Sequence, residues 1–310
     1  MSQNNTNILY AGLDAAKLSS QLHLAGCFYN LPNDAKGHAQ LLKRLRVHPN
    51  VQVICEATGG YEQSVVRALQ AANIPVSIVE AGRVRYFARA QGQRAKTDPI
   101  DAAVLSEYGS TFQPAQTPPA SPQQQQLTDL AQRRRQLVQL LTNERNHAEH
   151  YSDAFRLRQN RQLCKTLEKQ ITQCDEAIAS LIAQDAQLAY KASRLKAIPG
   201  VGPVVAATML AEMPELGALN RQTAAALAGV APYNRDSGSK KGTRCIQGGR
   251  RAARHALSLT AMRYDRILKE FYQRLRAAGK KPLVAMTACM RKLVILMNQL
   301  LKNDHFQLGN

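Results

Sequence analysis

The sequence predicts an α/β unit over residues 1–112 followed by all-α structure. Three observations carry this reading. Short β-branched runs alternate with amphipathic helical stretches up to about Phe112, the pattern of helices packed on a sheet. A stretch rich in Pro and Gln, residues 113–126, then interrupts it. Beyond that, apolar residues recur at helical spacing with almost no Gly or Pro as far as Leu188.

The elements follow in order. Ile8 to Leu13 is short, apolar and β-compatible, and Gln21 to Tyr29 reads as a second strand that bends toward a third. Asp34 to Val47 places Leu41, Leu42 and Leu45 at helical spacing. Val51 to Cys55 is a further strand, Tyr61 to Ala72 a helix, and Ile74 to Val79 another strand. Residues 113–126 read as a linker, with four prolines and a glutamine run. In 127–190, Leu127, Leu130, Leu137, Leu141, Ala148, Tyr151 and Phe155 recur at three, four or seven. Leu163, Leu167, Cys174, Ile178, Leu181 and Leu188 do the same, which predicts a coiled-coil helical hairpin suited to joining protomers, with a simple helical bundle as the alternative. Residues 191–310 form a mainly helical C-terminal unit. Its last helix starts at Pro282, with Leu283, Met286, Met290, Leu293, Met297 and Leu300 along one face.

The chain of 310 residues, 45% hydrophobic, is long enough for more than one core. Its formal net charge of +19 points to a polyanionic partner, in the first place nucleic acid. No apolar run approaches the roughly 20 residues that span a bilayer, and Met1 to Thr6 lacks a signal peptide's apolar region. Cys27, Cys55, Cys164, Cys174, Cys245 and Cys289 show no metal or redox spacing, the pattern of reduced thiols in a cytoplasm, and no zinc motif includes the histidines. A metal here needs oxygen ligands.

Carboxylates supply them. Asp14 and Glu56 end strand-like runs, in Gly12-Leu13-Asp14 and Ile54-Cys55-Glu56. Asp98 and Asp101 lie at i and i+3 on a helix beginning near Pro99. Taken singly each has a plain structural reading, Asp98 as a helix cap and Asp101 as a first-turn acid. Together, at strand ends that converge on one crevice, they suit Mg2+ or Mn2+ and phosphodiester cleavage. Arg83, Arg85, Arg89, Arg94 and Lys96 precede the aspartates, with Tyr86 and Phe87 among them, as a backbone-contact and stacking surface or else an exposed helix face.

Two further segments bear on nucleic acid. Ile198-Pro199-Gly200-Val201-Gly202-Pro203 joins two helical stretches in a helix-hairpin-helix pattern, with Gly200 and Gly202 allowing close backbone approach to a phosphate, or else a hairpin that serves packing alone. The stretch Ala231 to Gly242 then combines glycines, Ser237 and Ser239 with Arg235, Lys240 and Lys241, followed by Arg244 and Gly248-Gly249-Arg250. These cations suit a phosphate attacked by a serine oxygen, and the residues alone hardly distinguish the two serines.

Gly12-Leu13-Asp14, Glu56-Ala57-Thr58-Gly59-Gly60, Lys96-Thr97-Asp98-Pro99-Ile100-Asp101, the Ile198 to Gly202 hairpin and Ser237-Gly238 occur in this order. In this the chain resembles the DEDD-type insertion-sequence transposases, relatives of the Piv-type DNA invertases that include bridge-RNA-guided recombinases. The resemblance implies a RuvC-like ribonuclease-H fold for residues 1–112, with Asp14, Glu56, Asp98 and Asp101 as the metal-site carboxylates. It implies Ser237 as the nucleophile, forming a phosphoserine-DNA intermediate in a composite site shared between protomers of a homo-oligomer. Donor and target DNA and an element-encoded noncoding RNA are the partners it implies, with no membrane. The competing enzyme reading is a RuvC-like structure-specific nuclease that uses metal-activated water and has no need of the serine loop. A non-catalytic nucleic-acid-binding protein would not need all four carboxylates.

Overall fold

The computed structural model describes residues 8–93, 95, 97–234, 236–238, 242–260 and 266–306. The chain divides into two compact units, Met1–Pro119 and Ala120–Asn310.

The first unit is mixed α/β. Its elements are β1 (Leu9–Ala15), β2 (Ser19–Leu24), β3 (Cys27–Pro32), α1 (Ala35–Leu45), β4 (Val51–Glu56), α2 (Glu62–Ala71), β5 (Val76–Val79), α3 (Ala81–Ala90) and α4 (Asp98–Phe112). The sheet order is β3-β2-β1-β4-β5, with β1, β2 and β3 antiparallel in turn and β1, β4 and β5 parallel. The run read as one bending strand is a tight hairpin. Ala25 and Gly26 both take positive φ, which matches the twist of the flanking strands and breaks Gln21 to Tyr29 in two. Alternation along the central strands divides the interior. Leu13 and Cys55 face one core with Leu41, Val65 and Leu69. Ile54 faces the other, with Leu105 and Tyr108 of α4. On that second face α4 lies directly on β1, because Gly12 leaves room for the backbone of Ala102.

The segment after α4 is not a free linker. Thr117 donates its N–H to the Val76 carbonyl at 2.8 Å, and the Ile78 N–H donates to the Thr117 hydroxyl at 2.9 Å. The buried side chains of Gln52 and Ser77 donate to the carbonyl of Pro114. Residues 122–126 open the next helix, where Ser121 caps the N–H of Gln124 and Pro122 occupies the first turn.

The second unit begins with α5 (Pro122–Ala148) and α6 (Ala154–Gln184). These run antiparallel: Arg134 pairs with Asp175 at the base and Arg145 with Glu168 toward the tip. Leu137, Leu141 and Leu167 form a small core between them. Buried Asn160 donates to the Glu144 carbonyl and carboxylate. Phe155 and Leu163 of the apolar series are exposed, as the helical phase carries them off the seam. At the base, Leu127, Ala131, Ile178 and Leu181 join the main core of the unit.

That core also takes α7 (Ala186–Lys196), α8 (Pro203–Glu212), α9 (Arg221–Leu227), α10 (Arg251–Thr260), α11 (Arg266–Ala277) and α12 (Pro282–Lys302). Between α9 and α10 lies a two-strand ribbon, β6 (Pro232–Tyr233) and β7 (Cys245–Ile246). By length and composition alone α12 is apolar enough to cross a membrane, although Arg291 and Lys292 interrupt its apolar run. Its Cys289, Leu293, Val294, Met297 and Leu300 are instead core residues of this unit. Leu283, placed in that stripe from the sequence, is 74% exposed; the face becomes buried only from Ala285.

Candidate active site

The parallel pairing of β1 and β4 sets Leu13 opposite Cys55, so Asp14 and Glu56 follow as neighbours at the same ends of adjacent strands. Both are half-buried. By the alternation that points Leu13 and Cys55 to one core, Asp14 and Glu56 share the opposite face with Gly12 and Ile54. Helix α4 covers that face and runs antiparallel to β1: Ser106 donates to the Tyr10 carbonyl at 2.6 Å, while Ala102 abuts Gly12. Its N-terminal turn, with Asp98 and Asp101, is therefore directed toward the strand ends that carry Asp14 and Glu56. Acidic residues in a first turn are favoured by the helix dipole.

Glu56 and Asp101 line one cavity of about 480 Å³ with Arg85 and Arg89 of α3. Asp98 is exposed, one turn before Asp101. Among the described residues, no three His, Cys, Asp or Glu side chains are gathered as a metal cage. The donor set is nonetheless all oxygen, which suits a hard divalent cation. Beneath the strand ends, burial holds the Cys55 thiol well above its ordinary pKa, with Glu62, Asp14 and Glu56 adding to the shift.

The basic residues divide. Arg83 is exposed on α3 and does not line the cavity. Phe87, read with Tyr86 as a stacking surface, packs edge-on against Tyr108 and Phe112; Tyr86 is exposed. Arg94 and Lys96 lie outside the described residues.

In the second unit, Ile198 and Val201 are buried and anchor the turn between α7 and α8. Gly200 takes φ +86°, a backbone state that favours glycine. Gly202 is the N-cap of α8, with open space where a side chain would stand. Ser237 is exposed beyond β6, and the Gly242 N–H donates to the Asp236 carboxylate at 2.9 Å across the loop. Arg235, Ser239, Lys240 and Lys241 lie outside the described residues, and Arg244 is exposed.

Arg250, read as a phosphate ligand, is held internally. Its guanidinium donates to both oxygens of Glu215, at 2.5 and 2.6 Å, and to the Glu212 carbonyl. Burial alone would raise the Glu215 carboxyl; Arg250 more than offsets that, so the group sits below its ordinary pKa. The adjacent Gly249 packs backbone to backbone on Gly229.

Two residues beside the carboxylates had escaped the sequence reading. Glu62 is buried in the first turn of α2 and bonds the loop after Glu56. Asn33 bridges the chain after β1 to that same loop. The faint signal was an acid at a helix start just after Thr58-Gly59-Gly60.

Residues 12–156 match a DEDD transposase family of IS110 type, and residues 192–273 match the transposase IS116/IS110/IS902 family. The chain belongs to the IS110 family of DEDD transposases. The pilin gene-inverting proteins of Moraxella lacunata and Moraxella bovis are each 27% identical over 315 residues, 95% of this chain and 96% of theirs. This transposase is thus a DNA-recombining enzyme, and its mixed sheet is compatible with a ribonuclease-H-like DEDD domain.

Proposed function

We propose that this transposase cleaves and exchanges DNA strands through two chemical devices, one in each unit. The observation that carries the reading is the shared placement of Glu56 and Asp101 in one cavity, with Asp14 on the strand beside Glu56. Asp14, Glu56, Asp98 and Asp101 would hold Mg2+ or Mn2+, which supplies charge neutralisation at the scissile phosphate. Arg85 and Arg89 face the same cavity and would bind a non-bridging phosphate oxygen or the flanking backbone.

Ser237 is the nucleophile in this reading, supported by its exposure and by the resemblance of Ser237-Gly238 to the family motif. Its oxygen bonds to phosphorus as a deoxyribose oxygen leaves; the serine gives up its proton and the leaving oxygen gains one. A serine phosphodiester keeps the bond energy, so strands rejoin without a nucleotide cofactor. Arg244 and the loop cations Arg235, Lys240 and Lys241 would stabilise the phosphate charge. The α7–α8 turn acts as a helix-hairpin-helix, offering the open N-terminus of α8 to a nucleic-acid backbone. The net charge of +19 supports an RNA partner alongside donor and target DNA, the element's own noncoding RNA by family resemblance. The α5–α6 hairpin acts as a coiled coil that joins protomers.

The test is denaturing electrophoresis of labelled DNA with each variant and magnesium. Asp14→Asn abolishes cleavage with the fold intact. Ser237→Ala loses cleavage and the protein–DNA adduct while keeping DNA and RNA binding, whereas Ser239→Ala stays active. An adduct that persists in Ser237→Ala refutes the nucleophile. Free 3′-hydroxyl ends with no adduct at any stage in the wild type favour hydrolysis by water, and full recombination by RNA-free protein rules out a guide.

A further inference from the structure

We propose that Glu62 and Asn33 are positioning residues that set the carboxylates of Asp14 and Glu56. The inference rests on the reading of those two as metal-holding groups. Glu56 ends β4, and the chain then runs through Ala57, Thr58, Gly59, Gly60 and Tyr61 before α2 begins. Gly59 and Gly60 take φ of +81° and +124°, so this loop has little intrinsic stiffness.

Glu62 supplies the stiffness. Its side chain is buried, and one oxygen, Oε2, accepts from the Thr58 N–H at 3.2 Å, the Thr58 hydroxyl at 2.8 Å and the Gly60 N–H at 2.8 Å. A carboxylate is a strong acceptor, and three donors converging on one atom fix the loop against the first turn of α2. Asn33 then ties this loop to the other strand. Its side-chain amide donates to the Ala16 carbonyl at 2.7 Å and to the Tyr61 carbonyl at 3.0 Å. Ala16 lies two residues after Asp14, and Tyr61 lies on the loop after Glu56. The Asn33 Oδ1 is itself 2.9 Å from the His38 Nε2, which orients the amide. The two chain segments leaving the carboxylates are thus cross-linked by one side chain and stiffened by another. Groups that orient ligands from outside commonly alter metal affinity by about 10–100-fold when lost.

All three bonds to Glu62 end on one oxygen, and this separates position from charge. The carbonyl of Glu62→Gln can accept them; Glu62→Ala cannot. Full-length wild type, Glu62→Gln, Glu62→Ala, Asn33→Ala and the reference Glu56→Gln are compared by three measurements. These are hydrogen exchange over residues 57–61, Mn2+ binding by calorimetry, and the kcat and KM of DNA cleavage. Glu62→Ala is expected to speed exchange in the loop, weaken Mn2+ binding by about tenfold and lower kcat by about 10²-fold with KM unchanged. Asn33→Ala moves all three in the same direction, and Glu62→Gln stays close to wild type. If Glu62→Ala fails to fold, Thr58→Val, which removes one donor, carries the test with the same expected direction. Wild-type Mn2+ affinity and kcat in Glu62→Ala, beside loss of both in Glu56→Gln, overturns the proposal alone. Equal losses in Glu62→Gln and Glu62→Ala also overturn it, making the charge itself the function. Wild-type behaviour of Glu56→Gln sinks the metal reading and this inference with it.

Discussion

Gly12→Ala is the most informative substitution in the first unit. A Cβ at this position would stand 1.9 Å from the Ala102 carbonyl oxygen, 2.6 Å from the Ser106 nitrogen and 2.9 Å from the Leu105 Cβ. A carbon–oxygen contact normally settles near about 3.3 Å. Helix α4 must therefore retreat from β1 by more than ~1 Å at this point, or the strand must give way. The nearest obstacles are backbone atoms, so side-chain rotation cannot relieve them. Overpacking of this kind costs about 1–3 kcal/mol, and the backbone contact puts it at the upper end. A loss of about 3 kcal/mol lowers the Tm of a unit this size by on the order of 10 °C. The same retreat moves Asp101, the residue before Ala102, away from the strand ends, and a ~1 Å misplacement of reacting groups costs about 10²-fold in rate.

Gly109→Ala is the control. It lies on the same helix face two turns farther from Asp101, and its Cβ would meet side chains, Ile54 Cγ1 at 2.6 Å and Tyr10 Cδ1 at 2.8 Å. Thermal melts and initial cleavage rates, taken well below both melting points, separate the effects. Both variants are expected to melt earlier, with Gly12→Ala alone losing most of its cleavage. Equal activity losses at matched stability, or an unaffected Gly12→Ala, would show that the α4–β1 contact does not set the site.

Two further expectations concern groups outside the chemistry. Arg250→Ala should destabilise the second unit by on the order of 1 kcal/mol, a modest figure because Arg250 and Glu215 are about a third exposed. The Glu215 pKa is lowered in the fold, so its stabilisation is complete above the ordinary carboxylate value, about 4.3, and is lost as pH falls below it. The melting difference between wild type and Arg250→Ala should then narrow in acid; a gap that widens there contradicts the pairing. Cys55, fully buried and with its thiol pushed up, should resist iodoacetamide at pH 8 while exposed Cys27 and Cys245 react. Peptide mapping that finds all three modified at one rate would refute its enclosure.

Much of the placement around the site was readable because it depends on local rules. Strand alternation and the i, i+3 spacing place Asp14, Glu56, Asp98 and Asp101 near element ends, where the structure also has them. The hairpin base was readable too, since Leu127, Ile178 and Leu181 keep helical phase with a core. What escaped depends on tertiary partners. Arg250 looks like any loop cation until Glu215 is seen beside it. The glycine at position 12 looks like a strand weakness until α4 is laid on it, and Glu62 looks like a surface helix acid until the loop folds over it. Leu283 carries the right spacing but extends past the core that would bury it.

The segment between Gln113 and Pro119 has a consequence for dividing the chain. β5 is an edge strand, and Val76 and Ile78 would otherwise offer an open row of backbone donors and acceptors. Thr117 occupies part of that row, and the Pro114 carbonyl satisfies Gln52 and Ser77, both almost wholly inside. A fragment ended at Phe112, where the helix stops, would uncover a sticky edge and take an acceptor from each of two interior polar groups, inviting intermolecular strand pairing. Ended after Pro119, it would keep its own selvedge. Proteolysis of the intact protein should respect the same border, sparing residues 113–119 and cutting, if anywhere nearby, at Ala120 and Ser121.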